Sequence, residues 1–223
     1  RFLGTYLHSV DGITRVRYAQ VSPADRASLE SYLKRLQGVA VSGLSRQEQM
    51  AYWINLYNAA TVKLILDHYP VPSITRINPG GGGLFNRGPW DAKLLRVEGE
   101  EISLNDIEHR ILRPIWKDPR VHYVVNCASL SCPNLQDRAF TAGNLEAMLD
   151  QAARQYVGHP RAVRFDGERL VLSSIYNWFQ EDFGGSEDGV LKHLALYSDP
   201  QTASRLRAFE GSIRYEYDWS LNE

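Results

Sequence analysis

Residues Ser103–Pro133, SLNDIEHRILRPIWKDPRVHYVVNCASLSCP, hold both cysteines of the chain and two of its six histidines, and the architecture turns on how they fold. Ser103 followed three residues later by Asp106 is a capping-box variant, with Asp where Glu or Gln is usual. The spacing predicts a helix from here to about Leu112, ended by Pro114. Leu104, Ile107, Ile111 and Leu112 form its apolar face. At about 100° per residue, Glu108 falls inside that apolar arc and His109 on its flank. A carboxylate stands where a leucine would pack better. Either Glu108 is an ion-paired or hydrogen-bonded core residue, or it orients a histidine or acts as an acid or base, its pKa tuned by burial.

After Asp118-Pro119, the run Val121-His122-Tyr123-Val124-Val125 is β-branched and aromatic and predicts a buried strand ending at Asn126-Cys127-Ala128-Ser129. A cysteine just past a strand end can reach a cleft. Its small and polar neighbours Ala128, Ser129 and Ser131 leave room for a substrate and supply N–H donors for an oxyanion or a thiolate. Cys132, ahead of Pro133, reads equally as a buried small hydrophobe, a resolving thiol or a disulfide partner. The spacing of Cys127 and Cys132 is not Cys-x-x-Cys and no second pair exists, which argues against a zinc site. Neither a metal nor a cofactor is expected.

At 223 residues the chain can bury a full core and is most simply one domain, 1–223, with a helical part over about 1–70 and an α+β part over about 71–223. Hydrophobic content of 43% and charged content of 23% are those of an ordinary globule. A formal charge of -1 offers no field for nucleic acid. No apolar run is long enough to span a bilayer. The chain starts at Arg1 without methionine, which suggests a trimmed leader or upstream segment.

Residues 1 to 21 predict a short helix and an extended arm. Ser22-Pro23 starts a helix with Leu29, Tyr32, Leu33 and Leu36 on one stripe, ending at Gly38. Ser45 to Glu48 is a full capping box opening a helix to about Tyr69. Asn55 and Asn58 lie within its apolar face and must find partners: they bond loop backbone and fix docking, or one of them lines the site. The run Gly80 to Gly83 lacks the lysine and helix start of a P-loop and reads as a flap over a cleft. Leu94 to Ile102 reads as a hairpin, Thr141 to Tyr156 as an amphipathic helix. Val163 to Leu172, with Asp166-Gly167 at its centre, is the strongest hairpin signal. Ser174 caps a helix closing at Asp182-Phe183-Gly184-Gly185, where Asp182 either serves turn chemistry or reaches a site. Helices near 189–197 and 201–209 and an extended piece over 213–219 complete the chain. Hairpins alternate with helices without a regular β-α-β rhythm, so the fold class is α+β, a small, largely antiparallel sheet packed with several helices.

Several blocks together resemble the family known as domain of unknown function 547. They are Ala51-Tyr52-Trp53-Ile54-Asn55-Leu56-Tyr57-Asn58-Ala59, Ser103 to His109 with Ile111-Leu112-Arg113, Asp118 to Tyr123, Asn126-Cys127 to Cys132-Pro133, and the ending Tyr217-Asp218-Trp219-Ser220-Leu221-Asn222. The resemblance covers nearly the whole chain. It implies an extracytoplasmic bacterial protein, periplasmic or extracellular, and a papain-like fold and kinship to cysteine hydrolases through a Cys-His-Glu set. Here that set maps to Cys127, His109 and Glu108, with His122 as rival base. Neighbours on a helix point about 100° apart, so either Glu108 serves His122 or Glu108 and His109 flank a cleft from different angles. Papain-like sites carry the cysteine at a helix N-terminus, and Pro133 argues against a long helix directly after Cys127.

The expected function is a thiol hydrolase or transferase acting on an amide, ester or thioester of an unspecified peptide or small molecule. Cys127 attacks, His109 or His122 moves the proton, Glu108 orients, and amides near Ala128 and Ser129 hold the oxyanion, with Asn55, Asn58 and Ser129 as substrate contacts. The alternative is a catalytically silent binding or accessory domain in which these residues knit the core.

Overall fold

The computed structural model describes residues 1–79 and 88–223. The glycine run 80–83, expected as a flap, lies outside the described residues.

The core is built on one helix, α3 (Arg46–His68). Its capping box forms as the spacing predicts: Ser45 N–H donates to Glu48 Oε2 at 2.9 Å and Glu48 N–H to Ser45 Oγ at 3.4 Å. From Met50 to Leu66 it is buried on nearly every side rather than along one stripe, the pattern of a central helix. Helix α2 (Pro23–Gln37), capped by Ser22, packs Leu29 and Leu33 against it. Before α2, a short helix α1 (Phe2–Tyr6) leads into a hairpin, β1 (Leu7–Val10) and β2 (Ile13–Val16). Its turn is Asp11-Gly12, both at positive φ, a local hairpin signal where the sequence reading expected only an extended arm.

The hairpin β3 (Leu95–Val97) and β4 (Glu100–Ile102) delivers the chain into α4, whose wide π-helical stretch Asp106–Leu112 continues as Arg113–Trp116. Its start is capped as predicted: Asp106 N–H donates to Ser103 Oγ at 3.1 Å and Ser103 N–H to Asp106 Oδ2 at 2.8 Å. Its end is not where the sequence reading put it. Pro114 sits in the first turn of the continuing segment, where a missing N–H is tolerated, so the helix runs on until Lys117 turns left-handed at φ 52°.

The predicted strand over 121–125 is also corrected: Pro119–Tyr123 is a 3-10 turn packed on the following helix. Asp118 accepts from Arg120 N–H at 2.9 Å and Pro119 presets a helical φ, so a turn nucleates where periodicity cannot separate a buried strand from a buried turn. Cys127 therefore follows a turn, not a strand.

Helix α5 (Leu145–Val157) buries Leu145, Met148, Leu149 and Ala152 as expected. The hairpin β5 (Val163–Asp166) and β6 (Arg169–Ser173) turns at Gly167. One-turn α6 (Ile175–Trp178), a 3-10 turn Gln180–Phe183, α7 (Glu187–Tyr197) and α8 (Pro200–Arg207) follow, and β7 (Ile213–Glu216) returns parallel to β6. The architecture is α+β, and among the described residues the pairing is antiparallel except for β6–β7 and is spread over three small sheets rather than one.

Beyond β7 the tail crosses the cysteine loop. Leu130 N–H donates to Ser220 O at 2.8 Å and Asn222 N–H to Ala128 O at 3.1 Å, while Val16 N–H donates to Asn222 O at 2.8 Å. The C-terminal residues thus stitch the N-terminal hairpin to the cysteine loop. Among the described residues no helix is long and apolar enough to cross a membrane.

Candidate active site

The loop carrying Cys127 is held from both ends. Asn58 on α3 donates to Val124 O and accepts from Asn126 N–H, each at 2.8 Å. The Asn126 side chain closes the loop on itself, donating to Pro133 O at 2.7 Å and accepting from Ala128 N–H at 2.9 Å. Ala128 is held at φ 58°, a conformation a non-glycine residue adopts only where its surroundings over-determine it. The half-buried Cys127 thiol then meets three groups: Cys132 Sγ at 2.9 Å, Tyr217 Oη at 3.1 Å and Ser129 Oγ at 3.4 Å. Ser129 donates to Tyr217 Oη at 3.0 Å, which leaves the phenol proton free for the sulfur. Burial pushes the Cys127 pKa up, and hydrogen bonding by Cys132 and by Tyr217, whose proton Ser129 aims at the sulfur, outweighs it, so the thiol ends below its ordinary value. Burial and the Cys127 thiolate push Cys132 far up, so it remains a thiol. Burial and the same negative sulfur keep Tyr217 a protonated donor.

Glu108 does not serve its neighbour His109. It faces the buried His122, with 3.7 Å between Oε1 and Nδ1, and accepts from Tyr57 Oη at 3.2 Å. The other ring nitrogen of His122, Nε2, lies 2.6 Å from Asp182 Oδ2. Burial disfavours the imidazolium, but the two carboxylates prevail and raise the His122 pKa. Asp182 is held well below the usual carboxylate range: burial opposes this, while His122 and Arg113 enforce it. Arg113 reaches Asp182 through Nε at 2.5 Å and Nη2 at 3.1 Å, and through Nη1 faces His109 Nδ1 at 2.9 Å. Phe179 stacks on His122 with centroids 4.1 Å apart and carries the Arg113 guanidinium at 5.0 Å. His122 is thus an interior imidazole set between two carboxylates that favour its protonated form, and of the two histidines that line the cleft it is His109 whose Nε2 no protein group engages.

Cys127, Glu108, His109 and His122 converge on one cleft of about 280 Å³, roofed by Trp90, Trp178 and Trp219. No hydrogen bond joins Cys127 to either histidine. Ser129 touches the thiol. Asn55 and Asn58 do not reach this cleft: Asn55 exchanges two bonds with Phe140 backbone, at 2.8 and 2.9 Å, and both amides line a separate cavity of about 320 Å³. The Ala128 N–H, expected to hold an oxyanion, is already taken by Asn126. Tyr217 and Arg113 were not singled out from the sequence as site residues. Both lie in blocks that carry the family resemblance, but nothing local in those blocks points to the cleft.

Among the described residues no group of three His, Cys, Asp or Glu side chains could hold a metal ion. Comparison with curated proteins and with solved structures gave no match. A family model described as "Protein of unknown function, DUF547" matches residues 41–157, more than half of the chain and the part that holds Tyr57, Glu108, His122 and both cysteines. The chain that builds this cleft belongs to the DUF547 family.

Proposed function

We propose that this protein is a cysteine-dependent hydrolase or transferase acting on an amide, ester or thioester, with Cys127 as nucleophile. The observation that carries the reading is the half-buried Cys127 thiol in the cleft, bonded to Tyr217, Ser129 and Cys132 and held below its ordinary pKa. The thiolate attacks the carbonyl carbon, a C–S bond forms, and the Tyr217 hydroxyl supports the oxyanion in place of the engaged Ala128 amide. For this the Cys127 proton passes to His109, whose ring as an imidazolium gives up its Nδ1 bond to Arg113; Nε2–H then protonates the leaving group, and the neutral Nε2 takes a proton from the water that hydrolyses the thioester. No Cys127–His109 bond exists without substrate, and such bonds commonly tighten only in the reacting complex. The Glu108–His122–Asp182–Arg113 chain positions His109 through Arg113. The papain-like part of the proposal is this chemistry, not a helix-borne cysteine. An extracytoplasmic bacterial setting belongs to the same proposal.

One observation favours a second reading, a silent binding or accessory domain: both nitrogens of His122 are held by carboxylates, so that histidine is structural. Intact mass spectrometry after exposure to p-nitrophenyl acetate separates the two. The hydrolase reading predicts one acetyl group on Cys127, absent from Cys127→Ala and retained in Cys132→Ser. No adduct on Cys127, together with p-nitrophenol release no faster than that of Cys127→Ala, leaves the binding domain.

A further inference from the structure

Cys127 and Cys132 are both free, and their sulfurs lie 2.9 Å apart on a loop whose backbone also ties them, Cys127 N–H donating to Cys132 Sγ at 2.9 Å. Closing that gap to a bond of about 2.05 Å moves the two side chains only slightly. The two thiols differ in every property that matters for oxidation. Cys127 is open to the cleft, and three protein groups bond to its sulfur. Cys132 is 3% exposed, so no reagent from solution reaches it before its neighbour. An accessible, stabilised thiolate beside a shielded thiol is the arrangement in which a peroxide oxidises the first sulfur and the second resolves it.

We propose that Cys127 is a peroxide-oxidisable site whose sulfenic acid is resolved by Cys132. The thiolate of Cys127 attacks one oxygen of hydrogen peroxide, the O–O bond breaks, and with one proton taken up the products are Cys127–SOH and water. Cys132 Sγ then attacks the Cys127 sulfur, the S–O bond breaks, and the Cys132 proton leaves with the hydroxyl as a second water. Two electrons have passed from the sulfur pair to the peroxide, and a small dithiol returns them. In the bonded state the cleft has lost its thiolate, so acyl transfer at Cys127 stops, reversibly. The bond also spares Cys127 from the sulfinic and sulfonic acids, which no small thiol restores.

The test reads the sulfurs themselves and does not need the acyl-transfer activity. The reduced protein is treated with hydrogen peroxide, the peroxide is removed, and the chain is unfolded in urea with iodoacetamide present so that both cysteines are accessible, digested without reductant and mapped by mass spectrometry. The expected result is one peptide set linked Cys127 to Cys132 within a single chain, loss of both alkylatable thiols, and recovery of both with dithiothreitol. In Cys132→Ser, dimedone present during peroxide treatment labels Cys127, and in the parent protein it does not. The parent mapping stands by itself should Cys132→Ser fold poorly. Two thiols still alkylatable after peroxide, a sulfinic acid on Cys127 with no linked peptide, or a bond between two chains would overturn the proposal. A chain that links its cysteines but never accepts the acetyl group loses the hydrolase reading alone, and one that is acetylated but never links loses this one alone.

Discussion

At the scale of the residue, His122 controls how the interior answers to pH. Its pKa is raised in the folded chain, so its contribution to stability is fully present below the unfolded value of about 6.5 and is lost as pH rises through the folded value. Glu108 and Asp182 are lowered, so theirs is present above the unfolded value of about 4 and is lost as pH falls through the folded values. Stability is therefore expected to be greatest between about pH 5 and pH 6.5, and to fall on both sides. His122→Gln leaves two carboxylates facing each other without their cation, and at pH 6 is expected to lose about 3 to 5 kcal/mol, a difference that narrows as pH rises. Urea unfolding of both proteins from pH 4 to pH 9 checks this, and a pH-independent difference would mean that His122 is neutral. The partners that make this site lie far apart in the chain: His122 and Asp182 by 60 residues, Cys127 and Tyr217 by 90. Glu108 on an apolar face was legible as an anomaly, and helix geometry, by excluding its neighbour His109, left His122 as one of two alternatives. The second carboxylate on that ring, Asp182, was not legible as its partner, because nothing local says which residue arrives from 60 positions away.

At the scale of the element, the cysteine loop is an extension of α3. Asn58 supplies both an acceptor and a donor to it from a helix buried almost all round. Asn58→Ala strands the Val124 carbonyl and the Asn126 N–H in the interior, and the expected loss is about 2 to 4 kcal/mol. The loop also loosens, so the rate of Cys127 alkylation should change by more than the stability loss alone explains. Thermal melts and iodoacetamide labelling of the variant check both, and an unaltered labelling rate would mean that the tail over 217–222 holds the loop unaided. Elements with local signals were readable in advance: Ser22, Ser45 and Ser103 cap α2, α3 and α4, and Gly99 and Gly167 turn the hairpins β3–β4 and β5–β6. The turn at 119–123 was not, since a buried β-branched run has the same pattern in a strand and in a tight helical turn. The π-helical stretch of α4 was not either. It has no periodicity of its own, and Pro114, an apparent terminator, is accommodated beyond it.

At the scale of the whole molecule, the chain's two ends meet over its chemistry. Tyr18 Oη donates to Asn222 Oδ1 at 3.0 Å, Asp218 N–H donates to Ser131 Oγ at 2.8 Å, and the same tail sets Tyr217 on Cys127. Helical and α+β parts joined in this way should unfold together, so tryptophan fluorescence and far-ultraviolet circular dichroism are expected to give superimposable urea transitions. Two separated transitions would make the N-terminal part an independent unit. Tail, α3 and α4 all line the cleft that holds the Cys127 sulfur, and the functional reading stands or falls with the state of that sulfur. The decisive experiment is the pH dependence of Cys127 alkylation by iodoacetamide, localised by mass spectrometry. The expected midpoint lies below the usual thiol value of about 8.5 and rises in Tyr217→Phe, with the rate at neutral pH falling about tenfold for every pH unit by which the midpoint moves up. His109→Ala is expected to alter the profile more than His122→Ala does when the latter is folded. A Cys127 that reacts only above the ordinary thiol range, with the same midpoint in Tyr217→Phe, would be incompatible with an activated nucleophile held by the tail.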